Sequence, residues 1–183
     1  MSLSEEQKYR DNTWFGIKKD LNSKLINIFS YGSKNKEGGP FTAAIVRYNK
    51  ELDKYELVEW GYNTVLGHKD PTCHAEINVI RKVCKQLNTV DLSEYILIAS
   101  NQPCPMCYSA ARWAKIEPKN IFYIVPDKIA NDIGFQDNTL LRELAYLYNE
   151  NFNNTNHTGL VLGEDEYTSI VQAGFDNYKG DLY

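Results

Sequence analysis

Two short runs of this chain contain side chains that could together hold a zinc ion. The first run contains His74 and Glu76, and the second contains Cys104 and Cys107. One imidazole and two thiolates are three ligands, and they leave the fourth tetrahedral position to water, as at catalytic zinc sites. Zinc lowers the pKa of such a water from about 15.7 to about 7. The set therefore predicts hydrolytic chemistry at neutral pH.

The spacing within each run has a physical reason. Cysteines three positions apart at the start of a helix can bind one ion, and the helix N-terminus favours their thiolate forms. His74 and Glu76 are two positions apart at a second predicted helix start. One short turn lets the imidazole reach the metal while the carboxylate reaches the water. We therefore predict that Glu76 is an acid/base group and not a ligand.

A closed structural zinc site is the alternative interpretation of these runs. Such a site would need a fourth ligand at similar spacing, which neither Cys73 nor Cys84 offers. Both of these cysteines are predicted to be small buried hydrophobic residues. A non-catalytic zinc-binding interaction module is the hypothesis of another class. Glu76 argues against it, because a structural site has no need of a carboxylate beside the water.

The composition indicates a single globular domain that binds neither membrane nor nucleic acid. A chain of 183 residues, 43% of them hydrophobic, can bury most of its apolar surface. No apolar run approaches the roughly 20 residues that cross a bilayer, and residues 1–12 are too polar for a signal peptide. With two of the four cysteines assigned to metal, we expect a reducing, cytoplasmic setting. The net charge of −4 favours a small base or nucleoside over a polynucleotide, whose partners are basic.

Alternation of apolar runs and helical patterns predicts an α/β fold, a three-layer α/β/α sandwich around one mixed five-stranded sheet. The predicted strands are 41–48, 55–62, 95–100, 120–125 and 160–162. The predicted helices are 4–14, 21–29, 72–87, 104–115, 138–148 and 165–178. The second ligand pair would then lie where a buried strand leads into a helix.

Six runs around these ligands resemble a known family. They are Gly39-Pro40-Phe41, Gly61 to Val65, Asp70 to Glu76, Pro103 to Cys107, Arg112-Trp113-Ala114 and Gly134 to Asp137. His-x-Glu followed by Pro-Cys-x-x-Cys is typical of the zinc-dependent nucleobase deaminases. From residue 38 to about 147 the chain resembles the cytidine deaminase superfamily, and within it the bacterial guanine deaminases.

The resemblance implies a cytidine deaminase-like fold, a Zn²⁺ cofactor and the hydrolysis of guanine to xanthine and ammonia. It implies one deaminase domain over 1–183, in which 1–20 is a helical extension. It also implies a homodimer in which segments 149–183 are exchanged. Asn63 resembles the asparagine that holds the purine, Phe41 the aromatic that packs on it, and Asp137 a second carboxylate near the leaving amine. Ala75, between ligand and acid, is placed in the substrate pocket, and Tyr183 resembles a terminal tyrosine that closes it.

Each of these assignments has a structural alternative. Asn63 follows a strand, where asparagine is common in turns, and Phe41 could be core only. Asp137 could be a helix N-cap, and Tyr183 could be a frayed end. Trp113 is predicted to be core packing and not a substrate contact.

Two departures from the family pattern leave the substrate open. The family usually has Cys-Glu-Pro-Cys where this chain has Asn101-Gln102-Pro103-Cys104, and Gln136 replaces a usual aspartate. They are compatible with a related amine on a different purine, pterin or triazine ring. Because the zinc motif is shared across the superfamily, a tRNA adenosine deaminase, or a deaminase of cytosine or of nucleosides, is the alternative that keeps the same zinc chemistry.

Overall fold

The architecture is a five-stranded mixed sheet with helices on both faces. The computed structural model describes residues 4–135, 137–147, 160–161 and 166–178. The strands are β1 (Thr42–Asn49), β2 (Lys54–Tyr62), β3 (Tyr95–Asn101), β4 (Ile121–Val125) and the two-residue β5 (Leu160–Val161). The helices are α1 (Glu5–Tyr31), α2 (Val65–His68), α3 (Ala75–Leu87), α4 (Pro105–Trp113), α5 (Asp127–Asp132), α6 (Asp137–Leu147) and α7 (Glu166–Asp176).

The strand order is β2-β1-β3-β4-β5. The hairpin of β1 and β2 is antiparallel, β3 is antiparallel to β1, and β4 and β5 run parallel to β3. The predicted mixed sheet is confirmed, with four strands of five to nine residues and a fifth of two.

The two faces of the sheet carry separate hydrophobic cores. Helices α1 and α7 cover one face, where Trp14, Ile17 and Phe175 pack with Ile98 and Phe122. Helices α3 and α4 cover the other face, where they bury side chains of alternate strand positions: Val79, Val83, Ala111, Ile45, Leu97 and Ile121. Successive side chains of a strand point to opposite faces. The three-layer α/β/α sandwich predicted from the sequence is therefore what the structure has.

Helix α1 is a single helix where the sequence predicted two segments. Ser4 caps it by accepting the N–H of Gln7 at 3.1 Å. The buried residues Ile17, Leu21 and Leu25 form one apolar stripe, and it runs through residues 15–20, which lie between the two predicted helices. The helix thus passes residue 20 without a break and packs on the sheet along its length.

Side chains bond four of the outward-facing backbone groups of β2, which is an edge strand. Asp20 accepts the N–H of Tyr55 at 2.8 Å, and Glu59 accepts the N–H of Trp60 at 2.8 Å. Lys82 donates to the carbonyl of Trp60 at 3.2 Å. Asn78 likewise donates to the carbonyl of Tyr62 at 2.9 Å. Unpaired edge groups otherwise attract further strands.

Among the described helices, none combines the length and the apolar character that a bilayer crossing requires.

Candidate active site

Two helix N-termini bring the metal-binding side chains together. His74 is the N-cap residue of α3 and Cys104 that of α4, both in extended backbone conformation. The turn before His74 is held by Asp70, which accepts both the N–H of Thr72 at 2.8 Å and its hydroxyl at 2.7 Å. In α4, Pro105 occupies the first helical position, where its missing N–H costs nothing.

The three predicted ligands lie at distances that suit zinc. One ligand atom each of His74, Cys104 and Cys107 falls within 4.8 Å of the others. Nδ1 of His74 is 3.7 Å from Sγ of Cys104. Tetrahedral zinc with bonds of about 2.1 Å to nitrogen and 2.3 Å to sulfur would set these two atoms about 3.6 Å apart. Within the described residues, no fourth Asp, Glu, Cys or His joins the group. The residues therefore fit a three-ligand zinc site.

The pKa values of the two cysteines are shifted in opposite directions. A hydrogen bond from Cys107, with a further contribution from His74, lowers the pKa of Cys104 to about 4. The same pairing raises the pKa of Cys107. The lowered pKa favours the thiolate of Cys104, which is the form that binds a metal.

Glu76 lies beside this group in a nearly closed environment. Its side chain is 7% exposed, and its Oε2 accepts a hydrogen bond from Sγ of Cys107 at 3.5 Å. Burial, followed by the charge of Cys104, raises the pKa of Glu76 to about 7. A carboxyl group with that pKa can both take and return a proton at neutral pH.

The predicted substrate residues lie near the end of the sheet where β2 terminates and β1 begins. Asn63 directly follows β2 and is buried, and its Oδ1 accepts the N–H of Val65 at 3.0 Å. The alternative of a turn asparagine is therefore correct for this oxygen. Phe41 directly precedes β1 and packs edge-on against Phe135 and Phe175, with ring centroids 4.9 and 5.1 Å away. Ala75, the first residue of α3, is fully buried.

Asn35 is a supporting residue that sequence reasoning missed. It is buried, and its Nδ2 donates to the carbonyls of Gly39 at 2.9 Å and of Asn63 at 2.8 Å. It ties the glycine-rich loop to the segment that carries Asn63. An asparagine inside a loop of glycines was the available signal, since such side chains often fix backbone turns.

The structure does not describe the side chains of two predicted site residues, and it contradicts the prediction for a third residue. Asp137 begins α6, but its side chain lies outside the described part. Tyr183 and most of the segment 149–183 lie outside the described residues as well. Trp113 was expected in the core, and this is wrong, because its side chain is 85% exposed. The buried face of α4 is formed by Cys107 and Ala111, and Trp113 follows Ala111 by two positions on the opposite side.

With this geometry in place, comparison with known proteins decides the family. The family described as "Cytidine and deoxycytidylate deaminase zinc-binding region" matches residues 17–124. The chain belongs to this family. The match begins inside α1, includes β1 to β3 and the three ligands, and ends within β4. It confirms the predicted superfamily and its zinc-binding region.

Guanine deaminase of Bacillus subtilis (strain 168) is 40% identical to this chain over 107 residues, which are 58% of this chain and 64% of that protein. A solved structure of guanine deaminase from Bacillus subtilis is 30% identical, with a TM-score of 0.55 over 88% of this chain and 94% of the other. A tRNA-specific adenosine deaminase of Aquifex aeolicus (strain VF5) is 38% identical over 73 residues, which are 40% of this chain and 48% of that protein. In the sequence comparisons the chain thus spans less than two thirds of either relative.

Proposed function

We propose that this chain is a zinc-dependent hydrolytic deaminase of a free purine base, and that it converts guanine and water to xanthine and ammonia. The observation that carries the proposal is a buried carboxyl, Glu76, beside a three-ligand set whose spacing suits zinc. Similarity to guanine deaminase of Bacillus subtilis supports guanine as the base.

His74, Cys104 and Cys107 would hold the zinc ion. When bound, zinc supplies a water of lowered pKa, near 7, for attack on the ring. The two cysteines also balance the charge of the ion. The protein therefore needs only a group that moves protons and a pocket that aligns the base.

Glu76 is the proton carrier in this proposal. Its carboxylate takes a proton from the attacking water and delivers it to a ring nitrogen of the base. It then transfers the second proton of that water to the amino group, which leaves as ammonia while the carbon keeps the oxygen. Burial, which raises the pKa of Glu76, favours both steps, because proton transfer is efficient when the pKa is near the operating pH.

Alignment of the base is assigned to residues near the same end of the sheet. Asn63 would bond the purine through its amide, Phe41 would pack on the ring, and Ala75 would line the pocket beside the ligands. Asp137 would assist proton traffic at the leaving amine, and Tyr183 would close the pocket from a neighbouring copy in a homodimer. These roles, the dimer and the cytoplasmic location stay predictions.

Glu76→Gln is the variant that tests the chemistry. We expect zinc content equal to that of the wild type and a fall in kcat of about 10²- to 10⁴-fold, the usual contribution of a general acid/base. Xanthine and ammonia are measured with guanine as substrate, and metal content by elemental analysis. Zinc-loaded wild type that leaves guanine unchanged would remove the substrate assignment. A protein purified without metal would remove the mechanism.

A tRNA adenosine deaminase is the second candidate, supported by the relative from Aquifex aeolicus. The acidic balance of the chain, 24 acidic against 20 basic side chains, opposes it, because polynucleotide binding depends on neutralised phosphates. A panel of guanine, adenine, cytosine, their nucleosides and tRNA, with products identified by mass spectrometry, separates the candidates. A salt-sensitive mobility shift with tRNA would favour the second.

A further inference from the structure

Asn101 has a buried amide oxygen with no protein partner. This residue ends β3, and its side chain is 3% exposed. Its Nδ2 donates to the carbonyl of Gln102 at 3.1 Å, whereas its Oδ1 has no hydrogen-bond partner in the structure. A buried acceptor without a donor is unfavourable, and such atoms in native proteins call for an explanation.

The orientation of this amide follows from its one hydrogen bond. A carbonyl oxygen can only accept, so the Asn101 nitrogen must face the carbonyl of Gln102. A rotated amide would bring two acceptors together. The oxygen of Asn101 therefore points away from its own backbone neighbour.

The sheet places Asn101 on the same side as the metal ligands. Leu97 of β3 packs beneath α3 and α4, and alternation along the strand puts Asn101 on that face as well. On β2, Gly61 lies directly against α3, where an added Cβ would be 3.0 Å from the carbonyl of Ala75. Asn63 shares that side by the same alternation. Both asparagines therefore lie at the end of the sheet where β2 and β3 terminate, on the face where α3 and α4 begin.

One strand separates the backbones of the two asparagines. The strand β1 lies between β2 and β3, and strands are about 4.8 Å apart, so the two backbones are roughly 10 Å apart. Side chains that project in parallel from these two backbones can both bond a heteroaromatic ring system with polar groups on two sides.

We propose that the Oδ1 of Asn101 accepts a hydrogen bond from an N–H of the substrate, so that Asn101 is a specificity-determining residue of the site. This inference rests on the proposed function, and it defines the substrate class more narrowly. The substrate is a planar nitrogen heterocycle that presents a ring N–H or an amino group towards β3. It also gives a role to one of the two positions at which this chain departs from the family's Cys-Glu-Pro-Cys.

The test is base binding by Asn101→Leu, which keeps the size of the side chain and removes the acceptor. Zinc-loaded protein with Glu76→Gln as the common background keeps guanine intact during calorimetric titration. The ligands are guanine and its 1-, 7- and 9-methyl derivatives. We expect Asn101→Leu to weaken guanine binding by about 10- to 100-fold, the effect of leaving one donor unpaired. We also expect one methyl derivative to bind the background protein poorly, and this discrimination to disappear with Asn101→Leu.

Thr42→Val is the matched control. Thr42 is 1% exposed and its Oγ1 also has no hydrogen-bond partner. Thr42 lies on the opposite face of the sheet, because Ala44, two positions further along the same strand, packs in the core under α1. We expect base affinity within about twofold of the background. Should Asn101→Leu fail to fold, Asn101→Ser, whose shorter side chain withdraws the acceptor, carries the same expectation.

The outcomes separate this inference from the proposed function. Equal affinities of Asn101→Leu and Thr42→Val for every base would overturn the role of Asn101, as would a failure of the background protein to bind any base. A methyl derivative that still binds Asn101→Leu more weakly than guanine does, by the same factor as in the background protein, would mean steric exclusion, which also overturns it. Failure of the proposed function has a different readout: the protein without substitutions forms no xanthine from guanine.

Discussion

Gly38 controls how closely the glycine-rich loop approaches the candidate purine-binding side chain. A Cβ at this position would lie 2.1 Å from Oδ1 and 2.8 Å from Cγ of Asn63. Real Cβ atoms do not come so near, and Asn63 is held by Val65 and by Asn35. The absence of a side chain at Gly38 is therefore what lets the Asn63 amide keep its place.

Gly38→Ala tests this contact. We expect the Asn63 amide to be displaced and kcat/KM for the base to fall by about 10- to 100-fold, because small misplacements at a site are costly. Zinc content should not change, since the ligands lie on other segments. Gly174→Ala on α7 is the control: its Cβ would meet Pro40 at an ordinary 3.6 Å. It should leave kcat/KM unaltered, and equal kinetics of both variants would contradict the prediction.

Single residues differ in how well the sequence predicts them. The three ligands and Glu76 were predicted because the chemistry of a metal fixes residue types and spacing, and the structure brings all four together. Asn35 was missed. Its place in a loop with glycines indicates that it fixes a backbone turn, but no local pattern identifies its partner carbonyl 28 positions away.

At the level of helices and strands, the prediction succeeded where periodicity was strong. All five strands and the helices after the two ligand runs agree with the sequence to within a few residues. Helix α5 was missed because it has six residues and no side-chain cap. It is supported by tertiary contacts such as the 3.4 Å hydrogen bond from the N–H of Asp127 to Gln102.

Helix α1 is fastened to the start of β4 by a buried arginine. Arg10 is 3% exposed, and its guanidinium donates to the carbonyls of Ile121 at 2.8 Å and Pro118 at 3.2 Å. It also lies 4.8 Å from the centre of the Phe122 ring. Burial lowers the pKa of Arg10, although an arginine remains charged at neutral pH.

Arg10→Met keeps the apolar stem and removes these donors. We expect a loss of about 1–3 kcal/mol in the free energy of unfolding, because buried acceptors are left without their donor. Urea denaturation of the zinc-loaded protein measures it. Arg47→Met is the comparison, since the Arg47–Glu56 ion pair is exposed and such pairs contribute at most about 1 kcal/mol. A smaller loss for Arg10→Met than for Arg47→Met would contradict this account.

For the molecule as a whole, the buried carboxyl of Glu76 makes metal-free stability depend on pH. Its pKa rises from 4.5 to about 7 on folding, so the folded state binds this proton more tightly than the unfolded chain. The contribution of this group to stability is therefore fully present below pH 4.5 and is lost as the pH rises through about 7. The difference corresponds to about 3 kcal/mol.

Glu76→Gln should abolish that loss. In metal-free, reduced protein we expect the variant to be more stable than the wild type at pH 8, by up to about 3 kcal/mol, and equally stable near pH 4.5. Urea midpoints across this pH range provide the measurement. Parallel pH profiles of the two proteins would refute the assignment of the proton to Glu76.

The outer strand of the sheet, β2, constrains how the predicted homodimer can assemble. Four outward N–H and C=O groups of β2 are already bonded to the side chains of Asp20, Glu59, Lys82 and Asn78. A second molecule cannot extend the sheet across this border without breaking those four bonds. The same four bonds also oppose the growth of cross-β fibrils from β2. Both kinds of self-association through this strand, sheet extension in a dimer and fibril growth, are therefore unfavourable.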